Sequence, residues 1–133
     1  MRALISHLLL DKDTALVVDM EAGVEHLGRG TVGAVDRLFV VVEPGRRSIE
    51  TALRIQAMAK DIGLTRLAAV GNKIRSEEEK DQLRRDLKAL DFAGFVPYDA
   101  ALREAELAGR SVIGASEKAD QAVRQIIQAI EKE

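Results

Sequence analysis

Residues 38–63 read LFVVVEPGRRSIETALRIQAMAKDIG, and this stretch decides the fold class. The continuously apolar run from Leu38 to Val42 is typical of a strand buried on both faces, and Glu43-Pro44-Gly45 ends it. A helix is predicted over 49–62, with apolar residues at helical spacing and Gly63 as its stop. A buried strand followed by an amphipathic helix is one half of a βαβ unit.

The same alternation runs along the whole chain. Further apolar strands are predicted at 15–18, 66–71 and 92–96, and further helices at 2–10, after 76, over 99–108 and over about 116–131. Ser76-Glu77-Glu78-Glu79 is a capping-box pattern at the start of the helix after 76. Continuously apolar strands that alternate with helices indicate a parallel sheet with helices on both faces. We therefore predict one α/β domain, residues 1–133, with a mostly parallel sheet of about four strands.

Composition excludes several classes of function. The chain has 133 residues, of which 47% are hydrophobic and 32% charged, as in an ordinary globular protein. An aromatic share of 3% and a net charge of −2 provide neither a stacking surface nor a basic field for nucleic acid or anionic lipid. The absence of cysteine excludes a disulfide scaffold and a thiolate metal site. We expect a cytoplasmic location.

Polar residues follow the predicted strands, where parallel sheets place their working loops. The carboxylate of Asp19 is suited to hold a Mg²⁺-bound water, and Gly23 would let its loop approach a ligand closely. The carboxamide of Asn72, beside Lys73, offers a donor and an acceptor to the edge of a purine. In the Pro97-Tyr98-Asp99 loop, Asp99 could contact a base or simply cap the next helix.

Each of these residues also has an ordinary structural interpretation. Asp and Asn are common turn residues, and Asp99 is a good N-cap. The acidic side chains of Glu21 and Glu25 fit a solvated loop, and His7 and His26 are too far apart in sequence to indicate a histidine metal site. No single residue therefore identifies the function.

Taken together, these stretches resemble a known family. Asp19-Met20-Glu21-Ala22-Gly23 is similar to the D-x-x-A-G switch II signature of the MinD/ParA class of P-loop ATPases. The longer stretch DMEAGVEHLGRGT, residues 19–31, resembles more specifically the CooC-type accessory proteins that help insert nickel into carbon monoxide dehydrogenase. The stretches VVVEPGRRSIETA, VGNKI and VPYDAALREAELAG follow in the order of that family. The chain resembles the C-terminal half of such an ATP-binding maturation factor.

The resemblance implies a role for each strand-end residue. Asp19 matches the switch II aspartate that contacts Mg²⁺ through water, and Gly23 matches the glycine whose backbone senses the γ-phosphate. The pair Asn72-Lys73 matches the loop at the adenine edge, and Pro97-Tyr98-Asp99 matches the loop beside the base. ATP or ADP with Mg²⁺ are the implied cofactors, and we do not expect this chain to bind them alone. Asp19 is the only metal-contacting candidate, and no nickel site is expected in this chain.

One departure from the family limits what the resemblance implies. No G-x-x-x-x-G-K-S/T sequence occurs in the 133 residues, and Gly28-Arg29-Gly30-Thr31 lacks the lysine and the spacing. Without that loop there is no cradle of N–H groups for the phosphates and no hydroxyl on Mg²⁺. We therefore expect a partial P-loop NTPase fold that lacks the P-loop strand and does not hydrolyse ATP alone.

The missing strand also has consequences for partners. In the family it lies between the strand before Asp19 and the strand at 38–42, so its absence would expose two apolar strand edges. We predict that a homo-oligomer or a P-loop-bearing partner chain fills this gap, and the resemblance implies carbon monoxide dehydrogenase as a further partner. No nucleic acid or membrane partner is expected.

Two other functions fit the sequence less closely. The chain is alternatively a non-catalytic interaction module that keeps the family fold and uses its surface to bind a protein. A phospho-acceptor receiver domain would use Asp19 and Lys73 as its Asp–Lys pair, although the N-terminal strand with its own acidic pair is missing.

Overall fold

A computed structural model describes residues 15–20 and 35–131. The described part contains strands β1 (Leu38–Val42), β2 (Leu67–Ile74) and β3 (Asp91–Pro97), and helices α1 (Arg46–Asp61), α2 (Glu77–Asp86), α3 (Ala100–Leu107) and α4 (Glu117–Glu131). The strands lie in the order β1-β2-β3, and both pairs are parallel. The predicted α/β class with a parallel sheet is confirmed. None of the helices in these residues is long and apolar enough to cross a membrane.

The strand predicted at 15–18 is not found. Residues 15–20 are described, yet no strand is formed there, and Leu16 and Val17 are 47% and 89% exposed. An apolar strand of this kind is stable only between neighbouring strands and under covering helices, and the described sheet does not include it. The described sheet therefore has three strands rather than about four. The helix predicted at 2–10 lies outside the described residues.

The main core lies between one face of the sheet and the helices α1 and α2. Apolar side chains from β1, β2 and both helices meet there, with Leu90 after α2: Val40, Val42, Ile49, Ala52, Ala69, Ile74, Leu83, Leu87 and Leu90. Leu83, Leu87 and Val42 are almost completely buried. Helix α2 is short and strongly charged, so this burial, more than intrinsic propensity, holds it on the sheet.

The predicted capping box at the start of α2 is present. The N–H of Glu79 donates to Ser76 Oγ at 3.4 Å, and the Glu79 carboxylate accepts the N–H of Arg75 at 2.7 Å. The first bond uses a backbone donor that the first helical turn leaves without a partner, and the second holds the N–H of the residue before the N-cap. They also fix the backbone of Arg75, directly after β2.

The pairing of β2 with β3 is interrupted by two irregularities. In β3 the pairing passes over Ala93, and near the end of β2 an extra residue lies between Gly71 and Ile74. Side chains normally alternate between the faces of a strand, so one extra residue brings side chains three positions apart onto the same face. Phe92 and Phe95 therefore both face the core, where their rings stack with centroids 4.8 Å apart.

Two glycines allow close packing on opposite faces of the sheet. A Cβ at Gly71 would lie 2.3 Å from the Phe95 ring, on the face of α1 and α2, and a Cβ at Gly94 would lie 2.4 Å from Cγ1 of Ile126 in α4. Helices thus lie on both faces, as predicted, with α4 over β3. The second face is more open at β1, where Val41 is 62% exposed.

Replacing Gly71 by alanine tests the close approach of Phe95. The added methyl would overlap an aromatic ring held in the core, so we expect Gly71→Ala to lower the free energy of unfolding by about 2 kcal/mol. Gly45→Ala is the control, because a Cβ there meets nothing within 4 Å and its φ of 168° suits any residue. Urea unfolding followed by circular dichroism measures both. Equal stability of the two variants would contradict this packing.

Candidate functional site

The carboxyl ends of the three strands meet at one edge of the sheet. Glu43 follows β1, Asn72 and Lys73 lie near the end of β2, and Tyr98 follows β3. The N–H of Tyr98 donates to the carbonyl of Ile74 at 2.8 Å, so the pairing of β2 with β3 continues past the end of β3. The structure thus brings together the end of β2 and the loop after β3, but Asn72 and Lys73, which were predicted to follow the strand, lie within it.

The switch II residues are not placed at this edge by the described structure. Asp19 is exposed, in a segment that forms no strand, and Gly23 lies outside the described residues. Across residues 15–20 and 35–131, no three or more His, Cys, Asp or Glu side chains cluster as a metal site. Mg²⁺ needs near-octahedral oxygen ligands, which one exposed carboxylate does not provide. The roles of Asp19 and Gly23 stay predictions.

Lys73 links the ends of β1 and β2. Its Nζ lies 2.7 Å from Oε1 of Glu43, and the backbone N–H of Glu43 donates to Ser48 Oγ at 3.0 Å. Lys73 has a φ of 56°, the left-handed conformation that residues with a Cβ seldom adopt. This strained residue lies within the β2 irregularity, between Gly71 and Ile74. Its ion pair with Glu43 differs from the pairing with Asp19 that a receiver domain would require.

Asn72 is half-buried beside this strained residue. Its side chain makes no hydrogen bond to any other residue of the described part. A carboxamide in this position can donate and accept one hydrogen bond each to the edge of a planar ring. The structure is therefore compatible with the predicted role of Asn72.

Asp99 serves as a structural connector. Its Oδ1 accepts the N–H of Ala101 at 2.9 Å, and its Oδ2 accepts the hydroxyl of Ser116 at 2.7 Å. Ser116 is buried, and its Oγ also accepts the N–H of Ala119 at 3.2 Å. The hydrogen bond from Ala101, then that from Ser116 and the charge of Lys118, lower the pKa of Asp99. The carboxylate thus caps α3 and joins it to the start of α4.

Arg75 is a residue that the sequence analysis did not identify. Its guanidinium carbon lies 4.3 Å from the centre of the Tyr98 ring, a cation–π contact between the loops after β2 and β3. Tyr98 is 38% exposed. Arg75 also lines a groove of about 510 Å³ between α2 and α4, whose floor includes Ile74, Phe95 and Pro97. No sequence pattern marks this contact, because its partners are distant in the chain.

Several known proteins resemble this chain in sequence or in fold. No protein-family model matches the chain. An uncharacterized ATP-binding protein of Methanocaldococcus jannaschii is 39% identical over 115 residues, which are 84% of this chain and 44% of that protein. The carbon monoxide dehydrogenase accessory protein CooC of Rhodospirillum rubrum is 39% identical over 110 residues, 83% of this chain and 42% of CooC. The cell division protein MinD of Aquifex aeolicus has a TM-score of 0.68 at 21% identity, over 84% of this chain and 50% of MinD.

The likeness to MinD shows the fold alone, a parallel α/β sheet with helices on both faces. The sequence relatives define the family more closely. The chain is a homologue of CooC and of uncharacterized ATP-binding proteins, and it matches their C-terminal half. It spans less than half of the length of these relatives, 44% and 42%. The predicted family is confirmed.

Two substitutions at Lys73 isolate its backbone strain. Lys73→Gly and Lys73→Ala both remove the ion pair with Glu43, but only glycine relieves the left-handed conformation. We expect Lys73→Gly to be more stable than Lys73→Ala by about 1 kcal/mol in urea unfolding. At Lys88, which is exposed and has no positive φ, the order should reverse. The same order at both positions would contradict strain at Lys73.

The hydrogen bonds of Asp99 predict a dependence of stability on pH. A carboxyl whose pKa is lower in the folded state stabilises the fold above its unfolded pKa of about 3.9, and this stabilisation is lost as pH falls through the folded value. Asp99→Asn keeps a capping oxygen but does not titrate. The stability advantage of the unmodified chain over Asp99→Asn should therefore shrink below about pH 4. A constant difference in urea unfolding between neutral and acid pH would refute this role.

Proposed function

We propose that the chain is the base-recognition part of a CooC-type ATP-binding domain. The carboxyl end of β2 and the loop that begins at the end of β3 would bind the adenine of ATP or ADP, with Asn72 and Lys73 on one side and Pro97, Tyr98 and Asp99 on the other. The observation that supports this most strongly is the meeting of these two loops at one sheet edge, in a chain 39% identical to an ATP-binding protein. Ligands of open α/β sheets bind at such carboxyl edges.

The two loops offer complementary contacts to a planar base. Asn72 presents a donor and an acceptor for the edge of the ring, and the 38% exposed ring of Tyr98 presents a flat surface for its face. Asp99 contributes indirectly, because its bonds to Ala101 and Ser116 fix the backbone that carries Tyr98. In this assignment Asn72 reads the base and Asp99 positions the loop.

The phosphates would be held by another stretch of polypeptide. The 133 residues contain no G-x-x-x-x-G-K-S/T loop, so the chain alone supplies no N–H cradle for them. Asp19, through a Mg²⁺-bound water, and the backbone of Gly23 would act only when that loop is in place. We propose that ATP hydrolysis requires the P-loop part and does not occur in this chain alone.

The exposed apolar side chains beside β1 are where the P-loop part would pack. Val41 is 62% exposed, and β1 is the terminal strand of the described sheet. A strand added beside β1 would cover this edge and bury the apolar surface at Val41. The added strand would come from a P-loop-bearing chain or from a homo-oligomer.

The homologue CooC suggests which enzyme the nucleotide-binding domain would serve. Because the Rhodospirillum rubrum homologue is a carbon monoxide dehydrogenase accessory protein, we propose a role in nickel insertion into that enzyme, in the cytoplasm. This chain has no cysteine to bind nickel as thiolate. This chain would contribute the base-binding part of the nucleotide site in the complex that it forms with the P-loop part.

A second candidate function is a protein-interaction module. Leu107 and Ile113, at the end of α3 and in the segment before α4, are 77% and 84% exposed. Exposed apolar side chains close together in sequence suit a contact with another protein. This function needs no nucleotide.

Calorimetric titration of Mg-ADP and Mg-ATP distinguishes the base-recognition function from the protein-interaction module. We expect measurable heat when the chain is mixed with a P-loop-bearing N-terminal half of a homologue, and binding to the chain alone too weak for calorimetry. Asn72→Ala should weaken binding to the mixture about fivefold, the loss of one hydrogen bond. Gln82→Ala, on the exposed surface of α2, is the amide control and should change nothing.

The negative results are equally informative. No heat with or without the P-loop half would favour the interaction module. Tight binding that is unaffected by Asn72→Ala would place the base away from the end of β2.

A further inference from the structure

Hydrogen bonds hold the backbone on both sides of the contact between Arg75 and Tyr98. The N–H of Arg75 is bonded to Glu79, and the N–H of Tyr98 is bonded to the carbonyl of Ile74. With both backbones held, the guanidinium carbon lies 4.3 Å from the ring centre. The cation therefore covers one face of the ring at the edge where the proposed base would bind.

The surroundings leave Arg75 free to move. Arg75 lines the groove of about 510 Å³ between α2 and α4, which offers space for its side chain away from the ring. The guanidinium of Arg84 lies 4.8 Å from the centre of a second ring, that of Phe95, which packs against the core. Within residues 15–20 and 35–131, only Tyr98 combines a guanidinium contact with a position at the carboxyl edge.

We propose that Arg75 occupies the face of Tyr98 on which the base stacks, so that nucleoside binding requires Arg75 to move from the ring into the groove. This inference rests on the proposed function, which assigns the base to this edge. Stacking of a base on an aromatic ring is stronger than an exposed cation–π contact, so the base displaces the guanidinium. The contact reduces the apparent affinity to the intrinsic affinity multiplied by the fraction of time for which the ring is uncovered.

A single tyrosine makes this inference directly measurable. The chain has one Tyr and no Trp, so selective ¹³C labelling of tyrosine gives ring signals from Tyr98 alone. Adenosine is the probe, because it is neutral and its binding does not respond directly to the charge removed from Arg75. We expect Arg75→Ala to bind adenosine about two- to fivefold more tightly than the unmodified chain, by the strength of the lost cation–π contact.

Arg84→Ala is the matched control, since it removes the same charge and a guanidinium–ring contact with Phe95. Its adenosine affinity should equal that of the unmodified chain. Equal or weaker adenosine binding by Arg75→Ala would overturn the inference while leaving the proposed base site intact. No shift of the Tyr98 signals in any variant, even at saturating adenosine, would overturn both.

Discussion

The Phe95 ring lies against the backbone of β2 at Gly71, in space that any side chain at position 71 would occupy. The extra residue at Ala93 turns Phe92 and Phe95 to the same face, and their stacked rings pack against the core under α1 and α2. This packing holds β3 close to β2 up to its carboxyl end. The relative position of the two loops that form the candidate site depends on it.

Two charged residues at the carboxyl edge hold neighbouring elements together. Asp99 joins α3 to α4 through Ser116, and Lys73 joins β2 to β1 through Glu43. The side chain of Asn72 makes no bond to the rest of the described residues. We propose that its uncharged amide and the ring of Tyr98 bind the base, while most of the charged groups support the backbone around them.

The sequence predicted the elements better than their irregularities. The bounds of β1 and the capping box at Ser76 were predictable because they follow from local apolar runs and capping residues. The extension of β2 to Ile74 was missed because the irregular residue Lys73 interrupts the apolar pattern. The prediction of a strand at 15–18 was wrong, because an apolar run forms a buried strand only where neighbouring strands pair with it. The Arg75–Tyr98 contact joins residues far apart in the chain, beyond the reach of local patterns.

The central claim is that the carboxyl edge formed by β2 and β3 recognises a base. Its most direct test is to map backbone amide shifts in ¹⁵N–¹H spectra at saturating adenosine. We expect the largest amide shifts at 71–75 and 98–99, with little change at Arg66 and Asp91 on the opposite edge of the sheet. Shifts concentrated at that opposite edge, at 107–113, or nowhere in the chain would contradict it.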